Sequence, residues 1–217
     1  MFKNILFGIF PASLQIVNFL AHIYLSGNSR ETLIGNFIGD YVKGKEYKKY
    51  SKGIQRGIML HRHIDSFTDR HAVTLFSRKF VNENYGKYSG IVIDIFYDHF
   101  LSSNWDHYSD CALKPFIRER YRMLDSGFSI FPEGVKNWFP YFVKSNWLEA
   151  YTSLEGLINV FTRMSHRTSL PDHSEYAVSQ LIKHYDELKS GFIVFFDEIC
   201  RYVTEEYDIR LERAGQA

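Results

Sequence analysis

Residues 91–101 read IVIDIFYDHFL, and this stretch decides the class of fold. It is apolar on every side of a helix except at Asp94, Asp98 and His99. A helix that is apolar all round is buried inside a protein. The stretch therefore predicts a central buried helix over about residues 90–105.

The two aspartates of this helix are an anomaly. Asp94 and Asp98 are four residues apart, so they lie about 6 Å apart on one face, where buried like charges repel. A buried carboxylate needs a positive partner, and a divalent metal ion or an arginine would serve. The competing interpretation is that both acids accept hydrogen bonds from arginine or backbone donors and perform no chemistry.

A second helix, predicted over about residues 51–67, repeats the anomaly. Its apolar stripe of Ile54 and Ile58 continues at helical spacing into His61 and Asp65. An imidazole and a carboxylate four residues apart can bind one Mn, Fe, Mg or Zn ion from successive turns. Taken alone, His61 is more simply interpreted as an ordinary core histidine. The acid pair of the central helix favours the metal site.

Two further residues are candidate ligands. Asp40 lies in an apolar run near the end of the first predicted helix, where the helix dipole disfavours an acid unless a cation is near. His22 precedes that helix in the run NFLAH (residues 18–22). Asp40 could instead be a salt-bridge partner, and His22 could instead be a core residue.

The rest of the chain favours an all-α fold with one domain. Apolar residues recur three and four apart almost throughout, and no repeat or linker interrupts residues 17–208. We expect a helical domain over residues 17–217, preceded by a leader of uncertain status at residues 1–16. Asn28 is the predicted cap of the first helix, in a capping box with Glu31. The predicted helices cover about residues 28–43, 51–67, 72–84, 90–105, 113–125, 133–144, 153–165 and 174–206.

Composition excludes several classes of protein. The chain has 217 residues, with 26 Lys and Arg against 25 Asp and Glu, so its net charge of +1 argues against a dedicated nucleic-acid coat. Its apolar N-terminal stretch is far shorter than the ~20 residues that span a bilayer. Two cysteines, Cys111 and Cys200, form no disulfide framework, which indicates a reducing, cytoplasmic setting.

One strongly basic run stands out in this neutral chain. Residues 43–56 hold six cations against the single acid Glu46, a net charge of +5. Such runs are often simply solvated, but this one could also attract an acidic macromolecule. The cations are Lys43, Lys45, Lys48, Lys49, Lys52 and Arg56.

Taken together, these segments resemble the acyl carrier protein phosphodiesterase family, which is related to the helical HD-type metal phosphohydrolases. The resemblance spans about residues 17–208 and is concentrated between residues 18 and 105. The matching runs are NFLAH (18–22), GN (35–36) with Asp40, KG (43–44), HRHID (61–65), TD (68–69), Asp94, DHFL (98–101) and Trp105.

The resemblance implies a manganese-dependent hydrolase that removes the 4'-phosphopantetheine arm from the serine of holo acyl carrier protein. That substrate is acidic, which suits the basic run. The implied metal positions are Asp40, His61, Asp65 and Asp98, with Asp94 and His99 close by. No His-Asp dipeptide occurs in the chain, so the dyad that names the HD-type enzymes cannot be transferred literally.

For the mechanism we expect a metal-activated water to attack the phosphodiester. Arg62 would steady the phosphate, and His99 or His61 would pass a proton to the serine oxygen. Two alternatives stay open. A hydrolase of a nucleotide or other small phosphoester would need the acids but not the lysines. A non-enzymatic helical module that docks on an acidic protein would need the lysines but not Asp98.

Overall fold

The computed structural model describes residues 18–166 and 168–211, and within these ranges every regular element is helical. The predicted all-α class is therefore confirmed, whereas the predicted leader at residues 1–16 lies outside the described residues. The helices are α1 (Phe19–Leu25), α2 (Arg30–Ile38), α3 (Lys52–Arg70), α4 (Ala72–Ser77), α5 (Asn82–Tyr85), α6 (Ser89–Ser103), α7 (Trp105–Tyr108), α8 (Leu113–Asp125), α9 (Glu133–Lys136), α10 (Phe139–Lys144), α11 (Trp147–Ala150), α12 (Leu154–Ser165), α13 (Ser174–Lys183) and α14 (Tyr185–Tyr207).

The start of the fold differs from the prediction. Helix α1 was not predicted, and α2 begins one residue later because Ser29 is its cap: the Ser29 hydroxyl accepts from the Thr32 N–H at 3.3 Å. Asn28, the predicted cap, instead accepts a hydrogen bond from Arg120 at 2.6 Å. The helix ends at Ile38 and gives way to a 3-10 turn at Gly39–Tyr41.

Three predicted helices are each divided in the structure. The one at 72–84 forms α4 and α5, with a 3-10 turn at Arg78–Phe80 between them. The predicted helix at 133–144 is divided into α9 and α10, with Pro140 in the first turn of α10. Proline has no N–H to donate, so it suits a first turn and disfavours a continuous helix. The predicted helix at 174–206 is broken at His184, whose backbone is not helical. Nothing in the sequence marks that break.

Helix α6 forms the centre of the core, as its apolar surface predicts. Ile93, Ile95 and Phe96 are fully buried, and α1, α4 and α14 pack against this helix. The surrounding helices therefore pack on the residues around Asp94 and Asp98. Both acids face groups that other elements supply.

Two glycines let α2 and α3 approach until their backbones touch. A Cβ on Gly35 would lie 2.1 Å from the Ile54 carbonyl oxygen, and one on Gly57 would lie 2.2 Å from the Thr32 carbonyl oxygen. Neither distance is possible for a side chain, so both positions require glycine. This contact brings the turn after α2 against the middle of α3.

Two smaller predictions can be compared with the structure. Cys111 and Cys200 do not form a disulfide. No helix in the described part of the chain has both the length and the apolarity needed to cross a membrane.

Candidate metal centre and groove

Four side chains from α1, the 3-10 turn and α3 converge at one point. The Nε2 atom of His61 lies 3.3 Å from Oδ1 of Asp40 and 3.3 Å from Oδ2 of Asp65. The Nε2 atom of His22 lies 3.2 Å from Oδ1 of Asp65. The structure therefore brings together Asp40, His61 and Asp65, as the sequence predicts, and with them His22, the further candidate ligand.

The backbone of the turn holds the His61 ring in place. A Cβ on Gly39 would lie 2.3 Å from Cγ of His61, so only glycine leaves room for the ring. On the other face, the rings of His61 and His22 lie 4.5 Å apart. His61 is thus confined between the turn and α1, with Nε2 directed at the two carboxylates.

Asn36 determines which nitrogen of His22 carries a proton. The Asn36 amide group donates to the His22 carbonyl oxygen and to the Ser26 hydroxyl, both at 2.9 Å. Its remaining oxygen lies 2.7 Å from Nδ1 of His22 and must accept from it. Nδ1 therefore bears the proton, and Nε2, on the side of Asp65, is free to be a metal ligand when the ring is neutral.

His22 and Asp65 each favour the charged form of the other. Burial acts to lower the pKa of His22, but the hydrogen bond to Asp65 and the Asp65 charge raise this pKa above 6.5 overall. Burial acts in the opposite sense on Asp65, yet His22 and His61 hold the pKa of Asp65 below its usual value. Without a cation, the two residues are an ion pair.

The cluster fits a divalent metal ion. Both ring nitrogens of His61 are buried and form no hydrogen bond with a described residue. Ligand atoms of His22, His61 and Asp65 all lie within 4.8 Å of one another. Ligands bound about 2.1 Å from one ion lie roughly 3 Å from their neighbours, close to the separations observed here. Two imidazoles and two carboxylates suit Mn, Fe or Zn.

The cluster lies in a groove of about 550 Å³. Asp94 of α6 lines this groove with the cluster, as the sequence predicts for a residue of the site. Burial, together with the charge of Asp65, raises the pKa of Asp94 well above its usual range. The other lining residues include Asn18, Lys43, Thr68, Asp69, Arg78, Lys87, Tyr88, Gly90, Ile91 and 168–170.

The structure places Asp98 elsewhere, which corrects its prediction as a ligand. Its two carboxylate oxygens accept the N–H groups of Leu20 and Ala21 at 3.0 and 2.9 Å, at the start of α1. Asp98 is completely buried and is not among the residues that line the groove. Of the two interpretations of the acid pair, hydrogen bonding to backbone donors holds for Asp98.

His99 and Arg62 also lie outside the groove, which corrects their predicted catalytic roles. The Nδ1 atom of His99 lies 2.8 Å from the carbonyl oxygen of Tyr151, and Nε2 lies 3.3 Å from the Tyr185 hydroxyl. Burial lowers the pKa of His99, so its ring is neutral near pH 7. Arg62 is directed at the basic run, where it donates to the carbonyl oxygens of Val42 and Gly44.

The predicted basic residues lie beside one end of the groove. Lys43 lines the groove itself, and the other five are exposed on the 3-10 turn Glu46–Lys49, just before it, or in the first turns of α3. Lys49 pairs with Glu46, and Arg56 donates to the Tyr207 carbonyl oxygen. Lys45, Lys48 and Lys52 complete this surface, which we call the basic surface.

Several residues of the site were missed by sequence reasoning. Asn36 and Gly39 lie within an apolar run, and a polar residue followed by glycine beside a candidate ligand is a signal that could have been used. Arg78 and the segment at 168–170 reach the groove only through the tertiary fold. No local pattern distinguishes them from surface residues.

Comparisons with known proteins agree on one family. Residues 17–199 match the family model described as acyl carrier protein phosphodiesterase. A protein of that name from Yersinia enterocolitica is 31% identical over 181 residues, 83% of this chain and 94% of the relative. One from Klebsiella pneumoniae strain 342 is 30% identical over 186 residues, 85% of this chain and 96% of the relative.

No solved structure matches the chain. The resemblance to HD-type phosphohydrolases therefore stays a prediction, as do the bounds of the helical domain at residues 17–217.

Proposed function

The chain belongs to the acyl carrier protein phosphodiesterase family, and on this premise we propose that it removes 4'-phosphopantetheine from holo acyl carrier protein. Water adds to phosphorus, the bond between phosphorus and the serine oxygen breaks, and that oxygen gains a proton. The products are the apo carrier protein and 4'-phosphopantetheine. The observation that supports this proposal most strongly is the convergence of His22, Asp40, His61 and Asp65 in one groove.

We place a divalent cation, manganese in the first instance, on this cluster. Nε2 of His22 and of His61 and the carboxylates of Asp40 and Asp65 would be its ligands. When bound, such a cation supplies positive charge to the phosphoryl oxygens and lowers the pKa of a water molecule. The buried Nε2 atom of His61 supports the assignment, because it forms no hydrogen bond with a described residue yet lies 3.3 Å from a carboxylate oxygen of Asp40 and of Asp65, where a shared cation would offset the two negative charges.

The chain's own residues orient the ligand atoms and set the protonation of the acids in the groove. Asn36 holds the tautomer of His22 that leaves Nε2 available. The environment of the groove separates the pKa values of two of its four acids, lowering that of Asp65 and raising that of Asp94. Such a separation is typical of an acid and base with different tasks. We therefore assign Asp94 as the group that holds a proton for the serine oxygen, in place of His99.

The basic surface would receive the carrier protein. An acidic protein approaching Lys43, Lys45, Lys48 and Lys52 would be attracted over several ångströms, and its serine would arrive beside the metal cluster. A cytoplasmic location, as the cysteine usage indicates, would suit this substrate.

The test is the mass of the carrier protein after incubation with the enzyme and manganese. We expect the wild-type enzyme to convert holo carrier protein to the apo form. Asp65→Asn should reduce the rate by at least a hundredfold, because it removes a ligand charge. Asp110→Asn, an exposed aspartate, is the matched control and should be fully active. An unchanged mass with wild-type enzyme, together with hydrolysis of a small phosphodiester, would favour the small-phosphoester alternative.

The role of Asp94 needs a separate variant. Asp94→Asn should retain manganese binding and lose about a hundredfold or more in kcat, since general acid catalysis contributes about that much. If this variant no longer binds manganese, Asp94 is a metal ligand, as the sequence first predicted, and not the proton donor.

A further inference from the structure

The groove follows one face of α3. Four residues of this helix line it at helical spacing: His61, Asp65, Thr68 and Asp69. From the first to the last of these, a helix rises about 12 Å. The groove therefore has one end at His61, within the metal cluster, and another end at Asp69.

The His61 end adjoins the basic surface. Arg62 donates to the carbonyl oxygens of Val42 at 2.7 Å and Gly44 at 3.0 Å, which fixes this stretch beside α3. Lys43, between them, lines the groove, and its charge acts on Asp65. An acidic macromolecule bound at this end would lie next to the metal cluster.

The Asp69 end has little net charge. Asp69 accepts a hydrogen bond from Arg78, so the two charges offset each other. Gly90, at the start of α6, leaves room for Arg78: a Cβ there would lie 3.0 Å from Nη2 of Arg78. Nη2 of the arginine is thus held between Asp69 and Gly90, while its buried Nε forms no hydrogen bond with a described residue.

Beyond this ion pair the ionisable residues of the lining are Asp94, whose pKa is raised by burial, and the exposed Lys87, whose ammonium lies 5.0 Å from the centre of the Tyr88 ring. The interaction with Ser169 lowers the pKa of the Tyr88 hydroxyl, so the segment at 168–170 lies beside the residues that precede α6. Ile91 and Leu170 add apolar surface to the same part of the groove. This end therefore offers hydroxyl groups and apolar contacts to a ligand.

A phosphodiester of 4'-phosphopantetheine has two unlike arms. One is an acidic protein. The other is pantetheine, an uncharged chain with two amides, a hydroxyl and a terminal thiol. Pantetheine has about twelve chain atoms, equivalent to about four peptide units, and spans roughly 14 Å when extended, comparable to the length of α3 that lines the groove.

We propose that the Asp69 end of the groove, formed by Tyr88, Ile91 and residues 168–170, is the subsite for the pantetheine arm. The substrate then lies along α3 with the carrier protein over the basic surface and the arm directed towards Tyr88 and Ser169. This assignment rests on the proposed function, and it adds the orientation of the substrate and the residues that recognise its arm.

The test obstructs the subsite from two sides. Ile91→Trp fills it from α6, and Ser169→Trp fills it from the opposite segment at an exposed position that tolerates substitution. Ile182→Trp, at an exposed isoleucine outside the groove, is the matched control. Two ligands are compared by isothermal titration calorimetry with manganese present: 4'-phosphopantetheine and inorganic phosphate. Turnover is measured on holo carrier protein and on bis(p-nitrophenyl) phosphate, a diester without the arm.

We expect the wild type and Ile182→Trp to bind 4'-phosphopantetheine at least tenfold more tightly than inorganic phosphate, since the arm adds contacts. Both obstructing variants should lose this preference and about tenfold or more in kcat/KM on the holo carrier protein, while hydrolysing the small diester normally. If both obstructing variants keep the wild-type preference for 4'-phosphopantetheine and the wild-type turnover of holo carrier protein, the subsite assignment is wrong and the proposed function stands. A wild-type enzyme that hydrolyses only the small diester would overturn both.

Discussion

Asp65 and Asp98 are the same residue type in two buried helices, and their surroundings give them opposite tasks. Asp65 lies between two imidazoles, whereas Asp98 accepts the N–H groups of Leu20 and Ala21. Those groups belong to the first turn of α1, where N–H groups have no partner within the helix. Asp98 thereby positions α1, and with it His22.

This difference gives a prediction for Asp98→Asn. An amide can satisfy only one of the two N–H groups with its oxygen, so we expect a loss of about 2–4 kcal/mol in the free energy of unfolding. The folded variant should still bind manganese. Urea unfolding and metal titration would measure the two properties, with Asp110→Asn as the control. Normal stability combined with lost metal binding would instead make Asp98 a ligand.

We expect the His22–Asp65 ion pair to make metal binding depend on pH. A ligand imidazole must be neutral, so the ion competes with the proton on His22. Because the pKa of His22 is raised above 6.5, this proton is present at and somewhat above pH 6.5 and is lost as the pH rises further. We expect manganese affinity to fall as the pH is lowered through this pKa, by up to tenfold per unit.

Calorimetry in buffers of different ionisation enthalpy would measure the accompanying release of a proton. An affinity that is constant between pH 6 and 8, with no proton released, would contradict the assignment of His22 as a ligand.

At the scale of elements, the site depends on how closely α2 and the following turn approach α3. Gly39 has an ordinary helical backbone, so alanine there would cause no backbone strain, but its Cβ would collide with the His61 ring. We expect Gly39→Ala to weaken manganese binding by at least tenfold and to leave the helical content intact.

A matched control is Gly191→Ala in α14, where the new Cβ would press on Val73 at 2.8 Å, away from the groove. We expect Gly191→Ala to lose stability, as Gly39→Ala does, but to keep the manganese affinity of the wild type. Equal metal affinities for the two variants would show that the His61 ring does not need the space beside Gly39.

The basic surface is a second feature at this scale. Arg62 connects it to α3 by two hydrogen bonds, so the surface and the metal cluster share one rigid helix. We expect the double variant Lys48→Glu/Lys52→Glu to raise KM for the holo carrier protein about tenfold at low salt, with kcat unchanged. The difference should shrink at high salt, because the screening length falls from about 10 Å at 0.1 M to about 3 Å at 1 M.

Lys114→Glu/Lys183→Glu makes the same change of charge at exposed positions elsewhere and is the control. If both double variants raise KM equally, net charge matters and the basic surface does not. Steady-state kinetics at two salt concentrations separates these outcomes.

For the whole molecule, the sequence predicted what depends on local pattern. The apolar surface of α6, the change of the α3 stripe into His61 and Asp65, and the position of Asp40 all follow from helical periodicity. The partners of Asp98 do not follow from it. Asp98 accepts the N–H groups of residues 78 and 77 positions earlier in the chain, and their approach depends on the tertiary fold. Arg62 was misplaced for a different, local reason: as the residue after His61 in a helix, it lies on a different face of α3.

The groove could not be predicted from local sequence patterns, because it forms only in the tertiary fold. Its lining comes from α1, α3, α6 and the segments between other helices, so no single stretch of sequence determines its shape. The sequence therefore indicated the chemistry of the cluster, and the structure added the length and direction of the space beside it.

The central claim is that the cluster holds a divalent cation on which hydrolysis depends, and neighbouring histidines offer its most direct test. His61 is buried in the cluster, whereas His63 is exposed and lies 2.6 Å from the Tyr207 hydroxyl. Manganese bound per chain, measured by equilibrium dialysis alongside carrier-protein turnover, should be retained in His63→Gln and lost together with activity in His61→Gln. Manganese bound as tightly by His61→Gln as by the wild type would contradict the account.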